Sequence, residues 1–321
     1  MLDPRGRSPG RDRRTAPAAL VSQPAAGPRL EEWATRRERG SVLLIRLMVW
    51  LTLRFGRSAS RILLVPVCGY FFLCAPRARR ASRAWLTRVL GRSPGPSDVW
   101  RHFWCFAVCV LDRVLLLNDR LDLFDIRLHG EAELASVRRR HGGAFLFGAH
   151  LGSFEVVRAC GRALGDTRLS LVMYQDNARK TNQVLDAINP ALAIEIIGLG
   201  RPGSMLAVQE RLAAGHLVGV LADRSLANER QLSIPFLGSP ARFPVGPFRL
   251  AAILKRPIIF MAGVYRGGRQ YDIHFEVLSD PDVADDAEQA IEMAMRQYVA
   301  RLEHYCRSTP YNWFNFYEFW E

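Results

Sequence analysis

From Phe124 onward, short apolar segments alternate with segments of helical periodicity, and this alternation limits the fold more than any other feature of the chain. Short apolar strands separated by helices of about 10–15 residues are typical of a mainly parallel sheet with helices on both faces. We therefore predict an α/β fold built on such a central sheet. The predicted strands are 124–128, 144–149, 169–173, 193–197, 216–222, 257–265 and 271–277. The predicted helices are 131–141, 153–164, 179–188, 203–214, 245–254 and 285–306.

The positive charge is concentrated before this alternation begins. Residues 41–97 contain ten arginines and no Asp or Glu, in a chain whose net charge is +13. A block of like charge attracts a polyanion. Here the arginines are interleaved with Leu, Ile, Val, Phe and Trp, which favours an anionic membrane surface over nucleic acid. A solvated basic face is the alternative.

Two apolar runs lie in this basic stretch, at 42–55 and 62–75. Neither reaches the ~20 apolar residues that a membrane span requires. Arg57 and Arg61 lie between the runs, so joining them into one span would bury charge. We expect interfacial or re-entrant helices with arginines at the lipid headgroups. A single true span and a soluble helix pair are the alternatives.

These patterns divide the chain into three parts. Residues 1–30 are rich in Arg, Pro, Ala, Gly and Ser and predict a disordered tail. Residues 31–97 form the arginine-rich apolar, membrane-associating helical segment. Residues 98–321 form the α/β domain. An apolar helix predicted at 100–117 opens that domain, where it either covers the core or lines an acyl groove.

Cysteine and histidine spacing argues against a disulfide framework or a metal site. The six cysteines include no CxxC pair, and several lie in apolar runs, as expected in a reducing compartment. Six of the histidines lack a convergent carboxylate or cysteine pattern; they are His102, His129, His141, His216, His274 and His304. No metal or redox cofactor is implied.

The remaining histidine follows a buried strand directly. His150 lies in a small-residue turn, and Glu155 falls in the first turn of the next helix. Sites in open α/β sheets form where strands turn into helices. A turn at Leu151-Gly152 lets the carboxylate face the imidazole, and such a pair can deprotonate a hydroxyl. No serine or cysteine nucleophile is then required. The competing interpretation is a strand-end histidine with a structural role.

The segment from Gly148 to Glu155 resembles the H-x4-D/E motif of the lysophospholipid acyltransferase superfamily, and it is most similar to the bacterial lipid A late acyltransferases. The resemblance extends from about Val42 to the end of the chain. It includes the segments Leu221-Ala222-Asp223-Arg224, Ile234-Pro235-Phe236-Leu237-Gly238, Phe243-Pro244-Val245-Gly246-Pro247 and Pro310-Tyr311-Asn312-Trp313-Phe314-Asn315-Phe316-Tyr317.

The resemblance implies acyl transfer from acyl carrier protein or acyl-CoA to a hydroxyl of a lipid or glycolipid, at the cytoplasmic face of a bacterial inner membrane. His150 would be the general base and Glu155 its partner, with Asp223 and Arg224 near the acceptor or the reacting centre. Gly148 and Ser153 belong to the expected substrate site, and the backbone from Gly148 to Gly152 can supply oxyanion donors.

One position departs from the family pattern. The family usually carries Arg after the Tyr that corresponds to Tyr174, and this chain has Gln175 there. Arg201, after a later strand, is our candidate for the substrate-binding cation. The departure weakens the case for lipid A itself as the acceptor.

Two rival functions remain open. Residues 198–203 spell G-x-G-x-x-G between a strand and a helix, and Asp223 follows twenty residues after Gly203, as in a dinucleotide site of an oxidoreductase. Pro202 and the mid-chain position count against this. The other rival is a non-catalytic membrane-binding protein of a lipid pathway.

Two further segments are expected to support a site. The polar, proline-stiffened segment 223–246 has the composition of a substrate loop, with Arg224 a possible phosphate ligand. The tail 311–320 is aromatic at seven of its ten positions. That composition suits a membrane interface, the wall of an acyl pocket, or a final strand packed on the core.

Overall fold

The structure is a computed structural model that describes residues 42–156, 168–174, 183–185, 188–189, 195–199, 203–225, 229–281 and 287–320. The described strands are β1 (Asp125–His129), β2 (Ala144–Gly148), β3 (Leu169–Tyr174), β4 (Glu195–Leu199), β5 (Leu217–Leu221), β6 (Gln231–Phe236), β7 (Ser239–Pro244), β8 (Ile258–Gly267) and β9 (Gln270–Ser279). The described helices are α1 (Val42–Cys74), α2 (Pro76–Leu90), α3 (Pro96–Leu116), α4 (Glu131–His141), α5 (Ser204–Ala213), α6 (Gly246–Ile253) and α7 (Ala287–Ser308).

Seven strands form one mixed sheet in the order β1-β9-β8-β2-β5-β3-β4. Every neighbouring pair is parallel except β8 and β9, which form an antiparallel hairpin. The predicted α/β class with a mainly parallel sheet is confirmed. Two predicted helices are described only in part. The helix expected at 153–164 is helical at 154–156, and the helix expected at 179–188 is helical at 183–185 and 188.

The core lies on both faces of β2, which is buried at all five positions. Phe145 and Phe147 pack with residues of α2, α5, α6 and α7, while Ala144 and Leu146 pack with residues of α3 and α4. This alternation follows from the period of two along a strand. Trp85 and Leu86 of α2 belong to the first group, so α2 shares the core of the sheet across the boundary suggested at residue 97.

A small hairpin, β6–β7, stands where the sequence predicts a stiff loop. Leu237 and Gly238 form its two-residue turn, and both have positive φ (51° and 79°), as a type I′ turn requires. Phe236 and Phe243 are buried against the C-terminal aromatic residues. The prolines concealed these strands, because proline is rare in central strands but tolerated in a hairpin outside the main sheet.

Helix α1 exposes many large apolar residues, and its buried side mixes three polar residues with Val49, Leu64 and Cys68. It spans 33 residues, with a break at Gly56 where φ is 80°. Its buried polar residues are Thr52, Arg57 and Ser60. Its exposed apolar residues are Leu47, Trp50, Leu53, Phe55, Ile62, Leu63, Val65, Val67, Tyr70, Phe71 and Leu73. So many exposed apolar residues are unusual for a helix on the surface of a water-soluble domain. By length and composition alone, Arg46–Cys74 is able to cross a membrane.

Arg57 is not at a solvent-facing position, contrary to the expectation of headgroup arginines throughout the segment. Its Nε and Nη2 donate to the two carboxylate oxygens of Asp112 on α3, each at 2.7 Å. The hydroxyl of Tyr271 donates to the same carboxylate at 2.8 Å. A buried arginine needs such a partner. Arg61, one turn later, donates to the Tyr265 hydroxyl at 3.4 Å. The middle of α1 is thus fastened to α3 and to the β8–β9 hairpin.

Candidate active site

The turn after β2 is fixed by the backbone around it. Gly152 has a φ of 68°, and a Cβ there would lie 2.0 Å from the carbonyl oxygen of Gly263. The Gly152 N–H donates to the Asn312 carbonyl and the Ser153 N–H to the Gly263 carbonyl, both at 2.8 Å. Only glycine combines this φ with such close contact. The turn therefore holds His150 in one place at the end of β2.

Asp223, and not Glu155, is the carboxylate that contacts the imidazole. The Nδ1 atom of His150 lies 2.8 Å from Oδ1 of Asp223, and the His150 backbone N–H donates to Oδ2 at 3.1 Å. The sheet explains the contact, because β2 and β5 are parallel neighbours with Gly148 opposite Leu221. Each of the two residues therefore stands two positions beyond the end of its strand, on the same rim.

The C-terminal tail completes the surroundings of Asp223. Oδ2 also accepts hydrogen bonds from Trp313 Nε1 at 3.1 Å and Asn315 Nδ2 at 3.0 Å. Burial by itself raises the pKa of Asp223, but the hydrogen bond of His150, the Arg224 charge and the Asn315 hydrogen bond outweigh it. The pKa therefore lies well below its ordinary value, and Asp223 is ionised at neutral pH.

His150 is neutral at the same pH. Burial and the neighbouring Arg224 charge lower its pKa, and the Asp223 carboxylate offsets this only in part. Because an ionised carboxylate only accepts hydrogen bonds, the proton of the neutral ring is on Nδ1. Nε2 then carries the free lone pair of a general base. The side chain is 29% exposed, while that of Asp223 is fully buried.

Glu155 contacts other groups than the imidazole. Its Oε1 forms an ion pair with Nε of Arg113 at 2.8 Å, and its Oε2 accepts a hydrogen bond from the Ser153 hydroxyl at 3.2 Å. Arg113 lies in the last turn of α3. The His150–Glu155 contact expected from the spacing is thus replaced by a contact across the sheet, because the strand order brings Asp223 closer than the following helix brings Glu155.

The other predicted site residues have these positions. Arg224 follows Asp223 and donates through Nε to Asn315 Oδ1 at 2.7 Å and through Nη2 to the Phe314 carbonyl at 3.2 Å. The carbonyl of Gly148 accepts hydrogen bonds from the Tyr298 hydroxyl at 2.8 Å and the Ala222 N–H at 3.0 Å. Ser153 is buried. Arg201 lies outside the described residues.

Part of the Gly148–Gly152 backbone that was expected to supply oxyanion donors is engaged, at His150 and Gly152. The N–H groups of His150, Gly152 and Ser153 donate to Asp223, Asn312 and Gly263 respectively. An oxyanion hole needs donors aimed at the developing charge. These three N–H groups are already committed, so a side chain is the better source of that stabilisation.

Several functional residues escaped the sequence interpretation. Trp313 and Asn315 were read only as part of an aromatic tail, and Arg113 only as part of an apolar helix. The tail is buried at Trp313, Phe314 and Asn315, so it packs on the core, although its only strand-like pairing in the described residues is the bridge between Leu151 and Trp313. A signal was available in the two asparagines, because amides within a buried aromatic run require polar partners.

The glycine-rich segment does not have the surroundings of a dinucleotide site. Gly198 lies in β4, and Gly203 directly precedes α5. Residues 200–202, between them, lie outside the described residues. Asp223, the acidic residue that would bind a ribose, is fully buried and bonded to His150, Trp313 and Asn315. It is therefore not accessible to a nucleotide.

One group of potential metal ligands lies on the β1 and β9 edge, formed by His129, Asp272 and His274. The two imidazole rings are stacked at 4.5 Å with an interplanar angle of 9°. Because the two ring planes are nearly parallel, an ion in the plane of one imidazole would lie out of the plane of the other. Arg266 already donates to Asp272 at 2.7 Å. This arrangement does not fit a cation.

A family model described as bacterial lipid A biosynthesis acyltransferase matches residues 114–321, which include β2, β5 and the aromatic tail. No curated protein matches the chain.

Proposed function

The chain belongs to the bacterial lipid A biosynthesis acyltransferase family, and from this premise we propose that it transfers a fatty acyl group from a thioester donor, acyl carrier protein or acyl-CoA, to a hydroxyl of a membrane lipid or glycolipid. Membership of the family makes the protein a lipid acyltransferase with an acyl donor and a lipid acceptor as its substrates. The contact between His150 Nδ1 and Asp223 Oδ1 at 2.8 Å is the observation that carries the mechanism.

In the proposed reaction, Nε2 of His150 removes the proton of the acceptor hydroxyl as its oxygen attacks the thioester carbonyl carbon. The C–O bond forms and the carbonyl electrons move to oxygen. When the tetrahedral intermediate collapses, the C–S bond breaks and the thiolate takes the proton from Nε2. Asp223 keeps the proton on Nδ1 and stabilises the imidazolium between these steps. The acceptor supplies the nucleophile, so the protein needs none.

The acceptor site has less support. Arg224 lies on the same rim as His150, and Arg201 remains our candidate for an anionic group of the acceptor. We assign Asp223 to the base and not to the acceptor, because all of its described contacts are internal. The contacts of Gly148 and Ser153 suit positions that shape the turn after β2.

We also propose that α1 attaches the protein to the cytoplasmic face of the bacterial inner membrane. The family is membrane-associated in bacteria. The exposed apolar side of α1 would enter the lipid, and the arginines of α1 and α2 would meet anionic headgroups. Five free cysteines among the described residues fit a reducing compartment.

The experiment is an acyl-transfer assay with purified protein, acyl carrier protein or acyl-CoA donors and extracted membrane lipids, read by product mass. His150→Ala should give no product, and Asp223→Asn should lower kcat by about 10³–10⁴-fold, because the wrong tautomer is then favoured. Asp280→Asn is the matched control: this carboxylate contacts Arg140 and follows β9, away from His150. A folded His150→Ala protein with full activity would refute the proposal.

A further inference from the structure

Glu155 is close to His150 in the sequence, yet its contacts point to a different task. Its carboxylate binds the Arg113 guanidinium at 2.8 Å and accepts a hydrogen bond from Ser153. Ser153 is itself fixed through its backbone to Gly263. Glu155 is therefore held on one side by the turn after β2, and on the other side it holds Arg113.

The reaction centre needs a positive or hydrogen-bonding group for the developing oxyanion. The N–H groups of His150, Gly152 and Ser153 already have acceptors. Two arginine charges act on the imidazole, those of Arg113 and Arg224. Arg224 directs Nε and Nη2 to the tail, at Asn315 and Phe314. Arg113 has its Nε 2.8 Å from Glu155 in an ion pair, and its side chain is 35% exposed, so part of the guanidinium-bearing side chain faces the surface.

The position of Arg113 on α3 also fits a thioester. Phe106, Val110 and Arg113 are separated by four and three residues, so they share one face of the helix. Phe106 and Val110 are among the exposed large apolar residues of the protein. An acyl chain lying along this stripe would end at Arg113, next to the turn that carries His150.

We propose that Arg113 is a catalytic residue that stabilises the thioester oxyanion, and that Glu155 is a positioning residue that holds its guanidinium. This inference rests on the proposed acyl transfer. As the acceptor oxygen attacks, the carbonyl oxygen gains the negative charge that Arg113 meets; when the C–S bond breaks, the electron pair on that oxygen re-forms the C=O bond and the negative charge leaves with the thiolate. Arg113 neither gains nor loses a proton in these steps.

The test compares substitutions at Arg113 with substitutions at Glu155. Arg113→Gln should lower kcat by about 10²–10³-fold with little change in KM, because the interaction is made mainly in the transition state. Glu155→Gln should lower kcat less. The double variant should be no slower than Arg113→Gln alone, because Glu155 acts through Arg113. Arg120→Gln is the matched control, since this exposed arginine just after α3 pairs with Asp122.

Chemical rescue separates a catalytic role from a structural one. Guanidinium ions at millimolar concentration should restore part of the activity of Arg113→Ala, and they should not restore His150→Ala. Arg113→Lys keeps the charge and covers the case in which the alanine and glutamine variants do not fold.

Two results would overturn the inference: Arg113→Gln active within about threefold of the unchanged protein while His150→Ala is inactive, or a Glu155→Gln defect that adds fully to the Arg113→Gln defect. An active His150→Ala would instead overturn the proposed function itself.

Discussion

At the scale of single residues, the His150–Asp223 pair predicts how the rate depends on pH. The base form of His150 is lost as the pH falls through its folded-state pKa. Burial and Arg224 place that pKa below the ordinary value of about 6.5. The acid limb of kcat/KM should therefore have its midpoint below about pH 6.5. Initial rates measured from pH 4.5 to 8.5 check this.

The variant Asp223→Asn tests in which direction the carboxylate shifts the pKa of His150. The Asp223 charge raises the pKa of His150, so its removal should shift the acid limb to still lower pH while kcat falls. Each sample should be returned to pH 7.5 after exposure, to separate titration from unfolding. A midpoint above 6.5 in the unchanged protein would contradict the assigned surroundings of the imidazole.

At the scale of elements, a buried histidine connects two helices to the tail. His102 of α3 lies 2.8 Å from the Ser82 hydroxyl of α2 through Nδ1, and 2.8 Å from the Trp313 carbonyl through Nε2. Since a carbonyl only accepts, Nε2 carries the proton. Burial lowers the pKa of His102 to about 4. The neutral ring is therefore the form that the fold stabilises.

This histidine should make the fold sensitive to acid. A group whose folded-state pKa is depressed from about 6.5 to about 4 leaves the unfolded chain binding more protons in that range, so stability is lost as the pH falls through it. Between pH 7.5 and 5 the loss from His102 should be roughly 2 kcal/mol. Denaturant unfolding at both pH values, in the unchanged protein and in His102→Gln, measures it.

The His102→Gln variant should have a lower free energy of unfolding at pH 7.5 than the unchanged protein. Its free energy of unfolding should fall less when the pH is lowered to 5. Burial also lowers the pKa of His274 to about 4, so both proteins keep that part of the acid sensitivity. Equal losses in the two proteins would show that His102 is not neutral in the fold.

The exposed apolar side chains of α1 give a second prediction at the scale of elements, about binding to lipid. Ile62 and Leu73 are 72% and 69% exposed. Replacing either with Asp should weaken binding to lipid vesicles without loss of stability, because the carboxylate opposes insertion and no core contact is removed. Flotation of the protein with vesicles is the measurement. Ile253→Asp on α6, at a residue 65% exposed, is the matched control and should bind normally.

Most of the elements could be predicted from sequence, apart from the proline-containing hairpin β6–β7, but the contacts between elements could not. Buried strands such as Ala144–Gly148 are evident because both of their faces are apolar. The His150–Asp223 contact joins residues 73 positions apart and depends on β5 lying next to β2, which local spacing does not reveal. Local spacing therefore predicts Glu155, five residues after His150, as the partner of the imidazole. The sequence also does not show that Trp313 and Asn315 donate hydrogen bonds to Asp223, because these contacts form only when the tail packs beside that carboxylate.

At the scale of the whole molecule, the exposed apolar surface of α1 and the turn that carries His150 are connected through α3. Helix α1 is fastened to α3 through Arg57 and Asp112, and the next residue of α3, Arg113, contacts Glu155 beside the catalytic turn. A lipid acceptor could then reach His150 without leaving the membrane surface.

The uneven charge of the chain predicts how this attachment responds to salt. With ten arginines and no acid in residues 41–97, binding to vesicles that contain anionic lipid should exceed binding to neutral vesicles. Raising the salt from 50 to 500 mM should remove most of that difference, because exposed charges are screened. The apolar contribution of α1 should persist at both salt concentrations. Equal binding to both vesicle types at low salt would contradict the assigned role of the arginines.

The contribution of the tail to Asp223 has a consequence for the order of events during synthesis. Trp313 and Asn315 leave the ribosome after every strand of the sheet, so a nascent chain can complete β2 and β5 before the carboxylate has its full set of donors. Activity should therefore begin only once residues 313–315 have left the ribosome and packed beside Asp223. A chain stopped at Thr309, assayed beside the full-length protein, should be inactive; acyl transfer by it would disprove this timing.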